Sequence, residues 1–241
     1  MKLSDYILSA PGPTIDLENI HLSEENKNTI HRLLREYKHI NVLNQYDLPV
    51  DNKIFLYGHT GCGKTTTARA LAETLGKKIL IINLSNVISS RLGQTAKNIS
   101  DIFQKAIREK AVLFIDEFDS LGKMREHEDK DSSEMKRLVN TIIQLIDNLP
   151  NDTILIAATN HSSVIDTALL RRFQIRLKYD MPTADQLDAY YDTLLEKFPK
   201  QFRLVNRKYN ISYAEARDIT HQAVKTLIIE NEERNAGNQP E

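Results

Sequence analysis

The residues Gly58-His59-Thr60-Gly61-Cys62-Gly63-Lys64-Thr65 carry chemistry that the rest of the chain must position. Of the chain's 8 glycines, Gly58, Gly61 and Gly63 fall inside this one turn. The apolar run Ile54-Phe55-Leu56-Tyr57 precedes it, and Thr66-Thr67-Ala68-Arg69-Ala70-Leu71-Ala72 follows as a helix. The spacing therefore predicts a strand, a glycine turn and a helix N-terminus. Backbone N–H groups in such a turn curl around phosphate oxygens, and the helix dipole adds positive potential. Lys64 is expected to reach the β- and γ-phosphates and the Thr65 hydroxyl to ligate Mg²⁺. Gly58 through Thr66 make up the expected phosphate-binding stretch.

Further on, Ala111–Ile115 is a continuous apolar strand that ends in Asp116-Glu117. Two adjacent carboxylates there are costly unless a cation or a polar cleft receives them. Asp116 suits Mg²⁺, held through its water shell. Glu117 suits a base that orients and deprotonates a water attacking the γ-phosphate. Asn160 ends another apolar strand, Thr153–Ala158, as an uncharged donor for that phosphate or water. Arg171 and Arg172, ahead of Phe173, offer the positive charge that stabilises phosphoryl transfer. If they serve a neighbouring subunit, the site forms only on assembly. Each of these residues also has a plainer reading alone: a tight turn, a solvated loop, a helix end.

Ligands of an open parallel sheet sit beyond the carboxyl ends of its strands, so these residues must be gathered at one edge. Ile30, Leu33, Leu34, Tyr37 and Ile40 recur at helical spacing, predicting an amphipathic helix from Ser23 to about Gln45. Strands are expected at Lys53–Tyr57, Lys78–Asn83, Ala111–Ile115, Thr153–Ala158 and Gln174–Tyr179. Between them fall a helix ending near Gly76, one marked by Ile99, Ile102, Phe103 and Ile107, one opened by a capping-box-like Asp131 and Glu134, and a short one over Asp166–Leu170. Such alternation implies an α/β fold whose parallel sheet is covered by helices on both faces. Met181-Pro182 marks a change. From Thr183 the periodicity is helical, with one strand-like segment at Phe202–Val205. The expected division is an α/β nucleotide-binding domain over 1–180 and a small helical domain over 181–241.

Lys and Arg number 32 against 33 for Asp and Glu in a chain of 241 residues. No bulk field draws it to nucleic acid or an anionic membrane. Cys62 is the only cysteine, so no disulfide forms within the chain and a reducing compartment is expected. No apolar run reaches the ~18 residues of a membrane span. Met1-Lys2-Leu3-Ser4-Asp5 does not open a signal peptide. The expectation is a cytoplasmic protein without a membrane partner. Seven histidines are scattered without metal-ligand spacing.

Taken in order, these features resemble the AAA branch of AAA+ ATPases over residues 15–230. Gly58–Thr65 matches the Walker A motif, Ala111–Glu117 the Walker B motif and Asn160 sensor 1. Ile165–Phe173 is similar to the region carrying the arginine fingers, in the compact Arg-Arg-Phe form of katanin and spastin. The overall look is that of small bacterial or phage stand-alone members. The resemblance implies ATP and Mg²⁺ as cofactors and a P-loop core with a helical lid. It also implies a homo-oligomeric, hexameric ring that remodels, unfolds or translocates a macromolecular client, as motor for a separate protease or effector. Two stretches depart from the pattern. Arg91 stands where polypeptide-threading members carry an aromatic residue, and Ser212-Tyr213-Ala214-Glu215 stands where the branch has Ser-Gly-Ala-Asp, with Arg217 following. Arg91 and the basic stretch Lys197, Lys200, Arg203, Arg207 and Lys208 keep open an ATPase that handles nucleic acid. A nucleotide-sensing switch is the third reading, and Glu117 speaks against it because a pure sensor needs no positioned base.

Overall fold

Each of the five apolar runs becomes a strand of one parallel sheet in the computed structural model, which describes residues 6–7, 16–89, 92–123 and 132–237. Arg91, the mixed-charge stretch 124–130 and Asp131, expected above to open a helix, lie outside the described residues. The strands are β1 (Lys53–Gly58), β2 (Ile79–Asn83), β3 (Val112–Asp116), β4 (Ile154–Thr159) and β5 (Ile175–Tyr179), in the order β2-β3-β4-β1-β5. β4 is buried along its whole length, whereas β5 alternates buried and exposed residues as an edge strand does. The register sets Asn83 opposite Asp116, Tyr57 opposite Thr159 and Gly58 opposite Tyr179. β1 lies between β4 and β5, and chain order reverses there, so the cleft beyond its carboxyl end is a topological switch point.

Helices α1 (Glu24–Lys38) and α3 (Lys64–Thr74) cover one face. Ile30, Leu33, Ala68 and Leu71 meet Ile54, Leu56, Ile156 and Leu177 there. Helices α5 (Leu92–Arg108) and α7 (Ser132–Asp147) cover the other, where Ile102, Phe103, Ile142 and Ile146 join Phe55, Leu113 and Leu155 in one cluster. Alternate residues of β1 and β4 thus feed opposite faces. Each such side chain contributes about 1.5–3 kcal/mol of burial. Short helices occupy three connections: α4 (Leu84–Ser89) directly after β2, α6 (Ser120–Lys123) after β3, and α8 (Thr167–Leu170) before β5.

The helix expected from Ser23 to Gln45 is two helices. His39 leaves the helical region at φ −113°, ψ 16°, and a short α2 (Ile40–Gln45) follows that buries no residue. Beyond Tyr37 no packed apolar stripe holds a single long helix together, and tertiary packing supplies most helical stability. Phe202–Val205 is not a strand: a 3₁₀ turn spans Lys200–Phe202 and no described strand pairs with the residues after it.

The chain divides into two compact units, one within Met1–Gly58 and Lys64–Tyr179, the other within His59–Gly63 and Asp180–Glu241. In the second, α9 (Ala184–Glu196) starts from a Thr183–Gln186 capping box, and α10 spans Tyr213–Gly237. Its small core of Leu187, Tyr191 and Ala216 is supplemented by polar ties. The Tyr191 hydroxyl donates to Lys208 O at 2.9 Å, and Arg207 binds both Asp188 and Asp192.

Candidate active site

β1 delivers the glycine turn. Gly58 takes φ +126°, and a Cβ added there would lie 2.1 Å from Tyr179 O on β5, so only glycine fits. α3 begins at Lys64, which is buried and donates from Nζ to Gly58 O at 2.8 Å. The ammonium is therefore folded back across the mouth of its own loop. Thr65 is half-buried and Thr66 exposed at the helix start. At the tip, Gly61 and Gly63 take φ +73° and +101°, and a Cβ on Gly63 would meet nothing within 4 Å. The space beside it is open.

That tip, His59–Gly63, belongs to the second unit. Ala214 N–H donates to Gly61 O at 3.1 Å, and a Cβ on Gly61 would sit 2.5 Å from Ser212 Oγ. Ser212 is itself held by Glu215, which accepts from both its N–H and its hydroxyl. Cys62 is buried with Sγ 4.0 Å from Met181 Sδ. Tyr213 packs edge-on to Tyr190, centroids 5.0 Å apart, and burial, with Cys62 and Tyr190 adding, pushes its phenol up to about 12. Arg217 is exposed and pairs with its neighbour Asp218.

β3 delivers the carboxylates. Asp116 Oδ1 accepts from the Glu117 N–H at 2.9 Å, and Glu117 sits at φ +52°, a left-handed conformation rare for a non-glycine residue. That bend turns the Glu117 side chain toward α4, where Ser85 Oγ donates to Glu117 Oε2. Ser85 Oγ also lies 2.5 Å from Asn83 Oδ1. One hydroxyl hydrogen serves two acceptors, so it holds Glu117 or Asn83 but not both at once. Burial pushes the Asp116 carboxyl up from its ordinary value. The Glu117 and Asp119 charges add to this, while the Glu117 N–H and Lys64 oppose it.

β4 delivers Asn160, which is exposed. Its two neighbours are fixed through Asp119: the Thr159 hydroxyl donates to Asp119 Oδ1 at 2.7 Å, and His161 N–H donates to Thr159 Oγ1 at 2.9 Å. Phe118 N–H donates to Ala158 O, so the carboxylate strand and the asparagine strand are tied at their ends.

Gly58, Lys64, Thr65, Asp116, Glu117 and Asn160 thus share the carboxyl edge of the sheet. Arg171 and Arg172 do not. They precede β5, at the amino edge, beside Asp147 at the end of α7 and near Lys53 at the start of β1. A cavity of about 490 Å³ at the amino edge, lined by residues such as Tyr37, Lys38, Lys77 and Asp152, involves none of these site residues. Sequence reasoning missed Asn83, Ser85, Asp119 and Asp147. Asn83 had the same signal as Asp116 and Asn160, a polar residue closing an apolar strand. The others carried no pattern.

Residues 54–181 match the family described as ATPase family associated with various cellular activities (AAA). The chain belongs to the AAA family of ATPases. Among relatives, an uncharacterized AAA family ATPase of Sinorhizobium fredii is 34% identical over 221 residues, covering 90% of this chain and 67% of that protein. The ATPase family gene 2 protein of Saccharomyces cerevisiae is 34% identical over 152 residues, 61% of this chain and 19% of that one. The outer mitochondrial transmembrane helix translocase of Homo sapiens is 27% identical over 210 residues, 81% and 58% respectively. The chain therefore spans two thirds of the first relative and smaller parts of the others. Membership carries ATP binding and hydrolysis as the chemistry of this AAA ATPase. Among the described residues no helix is long and apolar enough to cross a membrane.

The residues present fit a triphosphate with Mg²⁺. Asp116 is a desolvated carboxylate crowded by two like charges, which a divalent cation relieves. No group of three or more His, Cys, Asp or Glu among the described residues is placed to hold a metal alone. That suits Mg²⁺, which takes one or two carboxylates and completes its shell with phosphates and water.

Proposed function

We propose that this AAA ATPase hydrolyses ATP with Mg²⁺ in a ring of identical subunits, hexameric by its resemblance, each site being completed by a neighbour. Turnover drives remodelling, unfolding or translocation of a polypeptide client. The observation that carries this reading is the separation of charges across the sheet. The phosphate-facing residues lie at the carboxyl edge and Arg171 at the amino edge. Within one chain the arginine cannot serve the site that the other residues form. In a head-to-tail ring it serves the next one.

Within a protomer the roles divide by position. The loop N–H groups, Lys64 and the Thr65 hydroxyl bind and neutralise phosphate oxygens, and Thr65 and Asp116 hold the metal. Bound Mg²⁺ would neutralise charge on the phosphates. Glu117 takes the proton from the attacking water. Ser85 holds Glu117 aside when its hydrogen is given to Oε2 and releases it when that hydrogen turns to Asn83. Asn160 orients the water or the γ-phosphate. The domain boundary falls near residue 180, and the helical segment after it is the small lid domain that the resemblance implies. A cytoplasmic location accords with this reading.

A polypeptide client is favoured over nucleic acid by the state of the basic stretch. Arg203 donates to the carbonyls of Phe198 and Glu196, and Arg207 is bound by Asp188 and Asp192. Two of its five cations are thus committed to the fold. The similarity to a protein named as a transmembrane helix translocase points the same way. The test is specific ATPase activity against protein concentration, with mass measured in parallel. Activity is expected to climb as larger species form. Constant specific activity from a monomer would refute the shared site.

A further inference from the structure

We propose that Asp147 is a positioning residue for phosphoryl transfer: it binds Arg172 of its own protomer, so that Arg172 braces the segment and Arg171 alone reaches the neighbour's nucleotide. This rests on the shared-site reading above and assigns unequal roles to two adjacent arginines.

Arg172 is nearly saturated. Its Nε donates to Asp147 Oδ1 at 2.9 Å and lies 3.1 Å from Oδ2, Nη2 reaches Oδ2 at 3.1 Å, and Nη1 donates to Ala168 O. This forked geometry on one carboxylate is the strong form of the ion pair. The Arg172 side chain is only 17% exposed. Arg171 differs in each respect. It is exposed, and no hydrogen bond or ion pair among the described residues holds its guanidinium.

The arrangement has a mechanical reason. α8 is four residues long, too short to hold itself by its own hydrogen bonds. Asp166 caps its start, accepting from Ala168 N–H at 2.7 Å. Beyond its end, Phe173 is buried with its ring 5.4 Å from Phe55 and 5.8 Å from Phe118. Between those anchors Leu169 is buried in the core, Arg176 Nη2 donates to Leu170 O at 2.6 Å, and the Asp147–Arg172 pair fixes the residue next to Arg171 itself. A charge offered across an interface must be placed closely, since an error of about 1 Å costs on the order of 10²-fold in rate.

Removing Asp147 separates the possibilities, because it frees Arg172 instead of deleting it. Steady-state hydrolysis and ATP affinity are measured for Arg171→Ala, Arg172→Ala, Asp147→Ala, Asp147→Asn and the exchanged pair Asp147→Arg with Arg172→Asp. Arg171→Ala should lose about 10³-fold in kcat, the scale of a transition-state arginine. Arg172→Ala, Asp147→Ala and Asp147→Asn should each lose about 10- to 100-fold in kcat with ATP affinity unchanged. The exchanged pair should recover to within a few-fold of wild type. Asp147→Ala and Asp147→Asn at wild-type activity, beside an Arg172→Ala as defective as Arg171→Ala, would overturn the proposal and make Arg172 a second reaching arginine. Full activity in Arg171→Ala would instead remove the shared-site reading itself.

Discussion

The two edges of the sheet are both rich in polar residues, yet they hold them in opposite ways. At the amino edge, the buried Thr153 hydroxyl apart, the polar groups are spent on the fold. Asn52, 1% exposed, donates to the carbonyls of Pro150 and Thr153. Lys77 donates to the carbonyls of Lys110 and Asp152 and lies over the Tyr37 ring, whose hydroxyl donates to Asn151 O. At the carboxyl edge the groups are held by partners that can let go. Lys64 rests on a carbonyl of its own loop, Glu117 shares one hydroxyl with Asn83, and Asn160 is exposed. Polar residues at strand ends therefore mark a site only where their bonds can be exchanged for bonds to a ligand. The exception at the amino edge is Arg171, exposed among bound neighbours, and that is where a second subunit is called for.

The comparison breaks if the carboxyl-edge groups prove structural. Glu117→Gln should therefore lose at least about 10²-fold in kcat while binding ATP normally, whereas Lys64→Ala should lose ATP binding itself. Isotherms with a fluorescent ATP analogue beside steady-state rates read both. Glu117→Gln turnover near wild type would end the assignment of a base. Next in size is Ser85→Ala, which removes the hydroxyl holding Glu117. It should change kcat by about tenfold, as loss of a partner that orients a reacting group does, with the melting temperature little altered.

At the opposite edge the effect should fall on stability. Asn52→Ala takes the side-chain donor from the carbonyl of buried Thr153 and leaves Pro150 O with the Thr153 N–H alone; it should cost about 1–3 kcal/mol in denaturant unfolding, with kcat and KM for ATP unchanged. A loss of activity in the folded variant would mean that the edges are not separate in role. The smallest effect is a gain. The Asp116 carboxyl is raised in the folded state, so its ionised form opposes folding. That cost is full above the folded value and absent below the unfolded one. Asp116→Asn should raise the melting temperature at pH 7, with the gain fading as pH falls through the carboxylate range, while Mg²⁺-dependent hydrolysis is lost.

Much of the carboxyl edge was legible in the sequence, because an apolar run closed by a polar residue states both a strand and its exit. Asp116, Asn160 and the Gly58 turn each show that signature, and the structure sets all three at one edge. Ser85 was not legible: it carries no pattern of its own between Leu84 and Asn86, and only α4 brings its hydroxyl to Glu117. Asp147 and Arg172 are 25 residues apart in a hydrogen bond that no local pattern announces. The break at His39 was hidden for a different reason. Ile40 continues the helical spacing in the sequence, but no residue of α2 is fully buried, so no core stripe carries α1 on.

The central claim, that the site at one edge is completed by Arg171 from the other edge of another copy, is tested most directly by mixing two inactive variants. Arg171→Ala keeps a whole carboxyl edge and lacks the arginine; Glu117→Gln lacks the base and keeps the arginine. Each alone should hydrolyse ATP at about 1% of wild type or less. Mixed in equal amounts, they should regain a substantial fraction of activity, because some sites then pair an intact Glu117 with a neighbour's Arg171. A mixture as inactive as its components, under conditions where the two variants demonstrably co-assemble, would contradict the account.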